Sequence, residues 1–399
     1  MSENKIILLI ILALVLVVAL FFAVMYFMTP SDFVFEAKIS SEIHNDYGFA
    51  YPLTYEFSIP DSVLGLKAYK KYAENQGWQQ IEEKKNTDFF NGIEAVRFDY
   101  QNKKAYISVG FNSISDKIQF KITDSTNKNL KIKYLGISEY YDNRKAVVTI
   151  TADDWGIFGP NDKSGTLNRL RFNELFDLLR EDDIWFTPAV TSQHYNGAFS
   201  YVPDSDWQDL QKRINAGYVG VVCHSRTHQE VPYSKESTYE YEILGNKEDI
   251  LKYLDLPYKN GDREYIFGWV RPYGQGDRMV REILGKSHFL ADRVSCCYIQ
   301  DDFSGWDSIN KLYNPIGYSY YLDKGNLNGA NEKFDEDYSR GKIYSIYLHP
   351  LNNNFGRDSW QSKHFDYIKG RKDVWYTGTD YLYFYHFAVD KNVVKVNDK

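Results

Sequence analysis

The chain has 399 residues, 47 Lys and Arg against 54 Asp and Glu, and a net charge of −7. At ~150 residues per domain that length holds two or three domains, and the negative balance excludes the broad basic field of a nucleic-acid binder. Charged residues at 25% and hydrophobic ones at 43% exclude wholesale disorder, and three cysteines, two of them adjacent (Cys296, Cys297), exclude a disulfide scaffold or a cysteine zinc cluster.

After a five-residue tail, residues 6–28 form an uncharged run rich in Ile, Leu, Val and Phe. At ~1.5 Å per residue, a helix of that length covers the roughly 30 Å hydrocarbon core of a bilayer. A cleavable leader has a shorter apolar region and a small-x-small cleavage site, which Met25-Tyr-Phe-Met-Thr-Pro30 does not offer. The expectation is a single-pass anchor in the cell membrane. Lys5 and the amino terminus on one side, against Asp32 and Glu36 on the other, orient the bulk of the chain outward.

Residues 33–142 read as a small mixed α/β module. Alternating strands are expected at Phe33–Ile39, Tyr55–Ile59, Val96–Tyr100, Ala105–Val109 and Ile118–Ile122, with a helix over Asp61–Gly77. His44 stands alone among polar residues and reads as a surface residue. No nucleophile or metal-ligand constellation falls here.

Residues 143–399 change rhythm. The apolar strand Ala146–Ile150, the helical pattern Leu167–Leu179, the strand Ile184–Thr191, the helix Asp206–Ala216 and the strand Tyr218–Cys223 alternate. That order predicts a mostly parallel sheet wrapped by helices, with functional groups at the carboxyl ends of strands. Four segments occupy such ends. Thr151-Ala-Asp-Asp-Trp-Gly156 places two carboxylates side by side, which repel unless a cation or proton is shared. His224-Ser-Arg-Thr-His228 puts two imidazoles four apart, a spacing that on one helical turn reaches a single ion. Arg271-Pro-Tyr-Gly274 and Leu348-His349 each follow an apolar strand.

In this order the four segments resemble the motifs of the polysaccharide deacetylases, the NodB-homology carbohydrate esterases: T-F-D-D-G, H-[ST]-x-x-H, R-x-P-Y-G and a Leu-x-His-like strand end. The resemblance runs from about Lys145 to the C-terminus. It implies an α/β fold of the distorted (β/α) barrel type, preceded here by the small module and the anchor. It implies Asp154, His224 and His228 as ligands of a divalent metal, zinc by default with cobalt or nickel as alternatives. Asp153 becomes the general base and His349 the general acid, with Arg271 as partner of the base and the Tyr273 backbone N–H as oxyanion donor. Two departures stand out. The Arg271 segment is one residue shorter than the family pattern, and the Asp that should orient His349 is open among Asp301, Asp302 and Asp307 around Trp306. The polar stretches 258–264 and 314–342 read as non-standard loops around the cleft.

The expected function is removal of acetyl groups from a surface polysaccharide by a membrane-anchored, metal-dependent hydrolase. Two other readings compete: a glycan-binding protein on an impaired deacetylase scaffold, and an amidohydrolase acting on a small amide.

Overall fold

The computed structural model describes residues 34–398 apart from 49–50, 62, 74, 86–91, 112–115, 159–162, 196–198, 257–258, 261–262, 265 and 295–298. The expected anchor at 6–28 lies outside the described residues. Among these, no helix is long and apolar enough to cross a membrane.

Two antiparallel sheets make up most of the N-terminal part. One runs Val394–Asp398, Phe35–Ile39, Lys117–Thr123, Lys67–Lys71, Gln79–Gln80, and the other Ala95–Asp99, Lys104–Val109, Leu53–Ser58, Lys133–Ile137. Their facing residues mesh through aromatic rings, with Phe35 on Phe57 at 5.1 Å and Tyr55 on Phe120 at 4.8 Å between centroids. The helix expected over Asp61–Gly77 is not formed; Lys67–Lys71 is a strand paired with Lys117–Thr123. Leu66 and Ala68 are buried while Lys67 and Tyr69 on either side of Ala68 are only half-buried, so the operative period over this stretch is two. His44 is buried against Phe111 on the short helix Ser41–Tyr47, contrary to its reading as a surface residue.

The C-terminal end of the chain returns to this part. Val394–Asp398 pairs antiparallel with Phe35–Ile39. The preceding helix, Thr379–Asp390, is buried nearly all round, and its Tyr385 hydroxyl donates to the Ser138 carbonyl at 2.9 Å.

The remainder is an eight-stranded, wholly parallel sheet. Its order is Ala291–Arg293, Gly268–Val270, Val222–Cys223, Thr187–Val190, Ala146–Trp155, Ile343–Leu348, Tyr320–Tyr321, with Val374–Tyr376 against the first residues of Ala146–Trp155. The central strand, Ala146–Trp155, is ten residues long and buried except at Asp154. After Ala146 its sequence is β-branched for five residues, and it carries the two carboxylates near its carboxyl end. Helices close the faces through apolar stripes: Phe172, Leu175, Phe176 and Leu179 on Lys163–Glu181, and Trp207, Leu210 and Ile214 on Asp204–Asn215. Stretch 314–342 is not a loop. It contains the strand Tyr320–Tyr321 and the helix Leu327–Ser339, whose first turn is capped by the Asn326 side chain. Within 258–264, Lys259–Asn260 pairs with Arg263–Glu264 as a hairpin.

Candidate active site

The adjacent carboxylates separate because a strand turns successive side chains to opposite faces and because Asp154 has a left-handed backbone, φ 71°. Asp153 goes inward and is buried against the guanidinium of Arg293. Asp154 goes to the rim, where its Oδ1 lies 3.4 Å from His224 Nε2 and 3.2 Å from His228 Nε2.

The two histidines are not on a helical turn. Ser225 (φ 65°) and His228 (φ 58°) are both left-handed, so the backbone doubles back and brings the rings to 4.8 Å between centroids. His224 Nδ1 lies 2.9 Å from the Val270 carbonyl. A carbonyl only accepts, so that nitrogen carries the proton and Nε2 turns its lone pair to Asp154. Asp154 Oδ1 is buried without a hydrogen-bond partner. An orphaned carboxylate oxygen facing an imidazole lone pair is what a cation site presents, and Asp154, His224 and His228 are grouped closely enough to hold one ion. In a tetrahedral site with bonds of ~2.0–2.1 Å, ligand atoms stand about 3.3 Å apart. The observed oxygen–nitrogen spacings match.

The histidine loop is held by a helix the sequence reading did not single out. On Glu236–Tyr253, Glu242, Asn246 and Asp249 are all buried and lie near one face. Glu242 accepts from the Thr227 N–H at 2.8 Å and from its hydroxyl at 2.5 Å. Asn246 Oδ1 accepts from the His224 N–H at 3.1 Å, and Asp249 takes the Arg226 fork at 2.7 and 2.8 Å. A Cβ on Gly245 would come within 2.5 Å of the Arg226 guanidinium, so glycine lets that fork reach Asp249. The signal in the sequence was three polar residues at i, i+4 and i+7.

The Arg271 assignment is corrected. Arg271 forks onto Asp292 at 2.7 and 2.6 Å, and the arginine on Asp153 is Arg293. Val270 is paired with Arg293 on the neighbouring strand, so the shortened Arg-Pro-Tyr segment leaves Arg271 beside Asp292. Arg293 supplies the guanidinium instead. Its Nε and Nη1 are buried without partners. Tyr273 has a left-handed backbone (φ 53°), and its ring, 60% exposed, stands 4.7 Å from that of His228.

His349 closes the site at the end of Ile343–Leu348. None of the three aspartates expected to orient it does so. Asp301 pairs with Arg340 at 2.9 Å, Asp302 with Lys342, and Asp307 with Arg281 at 2.8 Å. The partner is Asp323, whose Oδ2 accepts from His349 Nδ1 at 2.8 Å. Asp323 also accepts from Tyr321 Oη, Asn352 Nδ2 and Asn353 Nδ2 at 2.8–2.9 Å. Burial opposes its ionisation, yet His349 and Asn352 keep it charged and lower its pKa. Burial also works against a charged His349. The bond to Asp323 and the charges of Asp153, Asp154 and Asp323 outweigh it and push the imidazole up to about 9. Both carboxylates of the first motif are therefore within electrostatic reach of His349.

Solved structures similar to this chain include polysaccharide deacetylases and family 4 carbohydrate esterases. A Mycobacterium smegmatis protein provisionally described as a polysaccharide deacetylase matches 65% of this chain and 94% of its own at 13% identity, with a TM-score of 0.48. A family 4 carbohydrate esterase from Streptomyces lividans, in complex with acetate, matches 58% and 91% at 14% identity, TM-score 0.35. A pseudoenzyme of the same esterase family from Bacillus anthracis matches 60% and 66% at 12% identity, TM-score 0.36. No protein-family model and no curated protein matches the chain.

Proposed function

We propose that this protein is a metal-dependent hydrolase that removes acetyl groups, N-acetyl in the first place, from a cell-surface polysaccharide. The observation that carries the reading is the convergence of two proton-handling arms, Asp153–Arg293 and His349–Asp323, on the ligand set Asp154, His224 and His228. A divalent cation held by those three, zinc by ligand preference, would supply an acidified water and polarise the acyl oxygen.

Asp153 is the base. Its pairing with Arg293 holds the buried carboxylate in one orientation, aimed to take a proton from the attacking water. His349 is the acid. Asp323 occupies Nδ1, so the exchangeable proton sits on Nε2 and goes to the departing amine nitrogen as the carbon–nitrogen bond breaks. The Tyr273 backbone N–H, in its left-handed turn beside His228, is the candidate donor to the acyl oxygen as negative charge develops there. Exposed Tyr273 and the aromatic surroundings suit a sugar ring.

A shortened Arg271 segment would favour an impaired glycan binder if it left the base without its arginine. Arg293 on Asp153 supports the hydrolase reading over that one. The proposal takes the uncharged run 6–28 as a membrane anchor with the enzyme on the outer face of the cell membrane. Metal analysis of the purified full chain, paired with acetate release from a panel of N- and O-acetylated glycans, tests it. One bound divalent ion per chain and metal-dependent acetate release are expected; a metal-free chain that releases no acetate with added zinc, cobalt or nickel would overturn it.

A further inference from the structure

Tyr347 and His349 are two residues apart at the end of Ile343–Leu348, so their side chains share a face. The Tyr347 hydroxyl lies 3.3 Å from His349 Nε2, the ring nitrogen that Asp323 leaves open. The phenol ring stacks on Tyr321 at 4.6 Å and 10° between planes, and the Arg293 guanidinium carbon sits 4.4 Å from its centroid. Tyr321 in turn donates to Asp323, and Arg293 holds Asp153. One buried phenol thus adjoins both proton-handling arms, and it is not among the three candidate ligands.

We propose that Tyr347 is a positioning residue of this site: its hydroxyl holds the Nε2 edge of His349 in both protonation states, and its ring ties that edge to Arg293 and the base. The proposal rests on the reading of His349 as acid and Asp153 as base.

The chemistry follows from donor and acceptor counts. Imidazolium Nε2–H donates to Tyr347 Oη. Once that proton has left, Nε2 is a lone pair, and rotation of the hydroxyl lets Tyr347 donate to it instead. One torsion reverses the bond while the imidazole stays in place. A phenol can serve both directions only while neutral. Burial keeps Tyr347 protonated, with the charge of Asp153 adding to the effect and Arg293 opposing it. At 3.3 Å the bond is long, and an incoming leaving-group nitrogen can take over the same proton. The charged and titratable groups facing this pair are Arg293, Asp153, Asp154, Tyr318, Tyr321 and Asp323. Apart from Arg293 they are carboxylates or phenols. A charged His349 is thus favoured, and the hydroxyl gives that charge a directional partner.

Tyr347→Phe in the full chain keeps the ring, and with it the stack on Tyr321 and the contact with Arg293, but removes the hydroxyl. Hydrogen bonds to charged groups outweigh neutral ones, so the charged imidazole loses more and its NMR titration falls by roughly half to one pH unit. With an acetylated glycan that the parent hydrolyses, kcat falls about 10-fold, KM stays within about 2-fold, and the alkaline limb moves with the NMR titration. A folded Tyr347→Phe protein whose His349 titrates as in the parent overturns the proposal, whatever its turnover. If that variant does not fold, site-specific 3,5-difluorotyrosine at 347 keeps the shape with a poorer acceptor. The His349 titration then falls, and an unmoved one overturns the proposal. A parent that releases no acetate from any glycan, alongside a shifted titration, defeats the hydrolase reading and leaves the positioning role standing.

Discussion

Asp323 grips His349 by both ends: Oδ2 accepts from ring Nδ1 at 2.8 Å, and Oδ1 from the same residue's backbone N–H at 2.9 Å. Two bonds from one carboxylate fix the imidazole's position and its tautomer together. The donors from Asn352, Asn353 and Tyr321 fix the carboxylate in turn. The geometry is set before substrate arrives, as an acid that must meet a leaving group in one orientation requires.

This arrangement predicts the alkaline limb of the pH–rate profile. A raised pKa means His349 is protonated, and competent as acid, below about 9; the competence is lost as pH rises through that value. A cation on Asp154 cancels part of that carboxylate's charge, so Asp323 carries much of the shift in the loaded protein. Asp323→Asn removes the opposite charge, and the limb should fall by roughly one to two pH units. Profiles of kcat for parent and variant check this. A limb that stays put would assign the acid to another group.

Arg293 and Arg271 should behave differently although both are buried arginines on carboxylates. Arg293→Met leaves Asp153 buried and unpaired, a loss of about 3–5 kcal/mol of the kind seen on breaking buried pairs, and turnover should fall at least ~10²-fold. Arg271→Met leaves Asp292 still bonded to Arg281 at 3.0 Å, so its stability cost is smaller and the base keeps its partner. Denaturation and turnover measured on both variants decide. Equal loss of turnover in the two would return Arg271 to the base.

The pattern of what the sequence disclosed has physical reasons. Asp153, Asp154, His224, His228 and His349 were legible because each lies at or just after the end of an apolar strand, and those strands pair in parallel with the ends together. Arg293 and Asp323 were not. Each enters the site from a different strand or turn, and only the register Val270 to Arg293, or the short parallel pairing of Tyr320–Tyr321 with Ile343–Leu348, brings it in. Asp61–Gly77 reads as a helix because Val63, Leu64, Leu66 and Tyr69 fit a 3.6 period locally; the pairing of Lys67–Lys71 with Lys117–Thr123 overrides it. Spacing alone does not report the left-handed φ of Ser225 and His228, so the histidine loop reads as a helical turn in the sequence.

Helix Glu236–Tyr253 should control metal affinity from outside the ligand set. Glu242→Gln retains one of the two acceptors that Thr227 needs, so the loop between His224 and His228 loosens. Loss of such outer support costs 10–100-fold in affinity. Chelator competition on the folded variant should find a weakening in that range, with the melting temperature of the metal-free protein little changed. Unaltered affinity would mean the loop holds itself.

The anchor is tested by extraction. An uncharged run of 23 residues at 6–28 should keep the protein in the membrane fraction through high-salt and carbonate washes, with detergent needed for release. Protease added to intact cells should remove the part containing His224. A mature chain beginning after residue 28 would replace the anchor with a cleaved leader. Full protection in intact cells would place the site inside and exclude an extracellular glycan.

The two adjacent carboxylates give the sharpest test because they differ in role by one position. Asp154 faces two imidazole nitrogens and has an orphaned oxygen; Asp153 is buried on Arg293. Asp154→Asn replaces an anionic ligand with a neutral one, so metal affinity and activity should fall together. Asp153→Asn keeps the shape beside Arg293 but cannot accept a proton from the attacking water. Metal should remain at one ion per chain while turnover drops by ~10²–10⁴, the usual range for a general base. Metal content by mass spectrometry and acetate release on the same preparations read both effects. An Asp153→Asn protein with near-parental turnover sinks the mechanism, since no other group in the described site is placed to do that work. An Asp154→Asn protein that still binds one ion at parental affinity sinks the ligand set instead, and the two outcomes are independent.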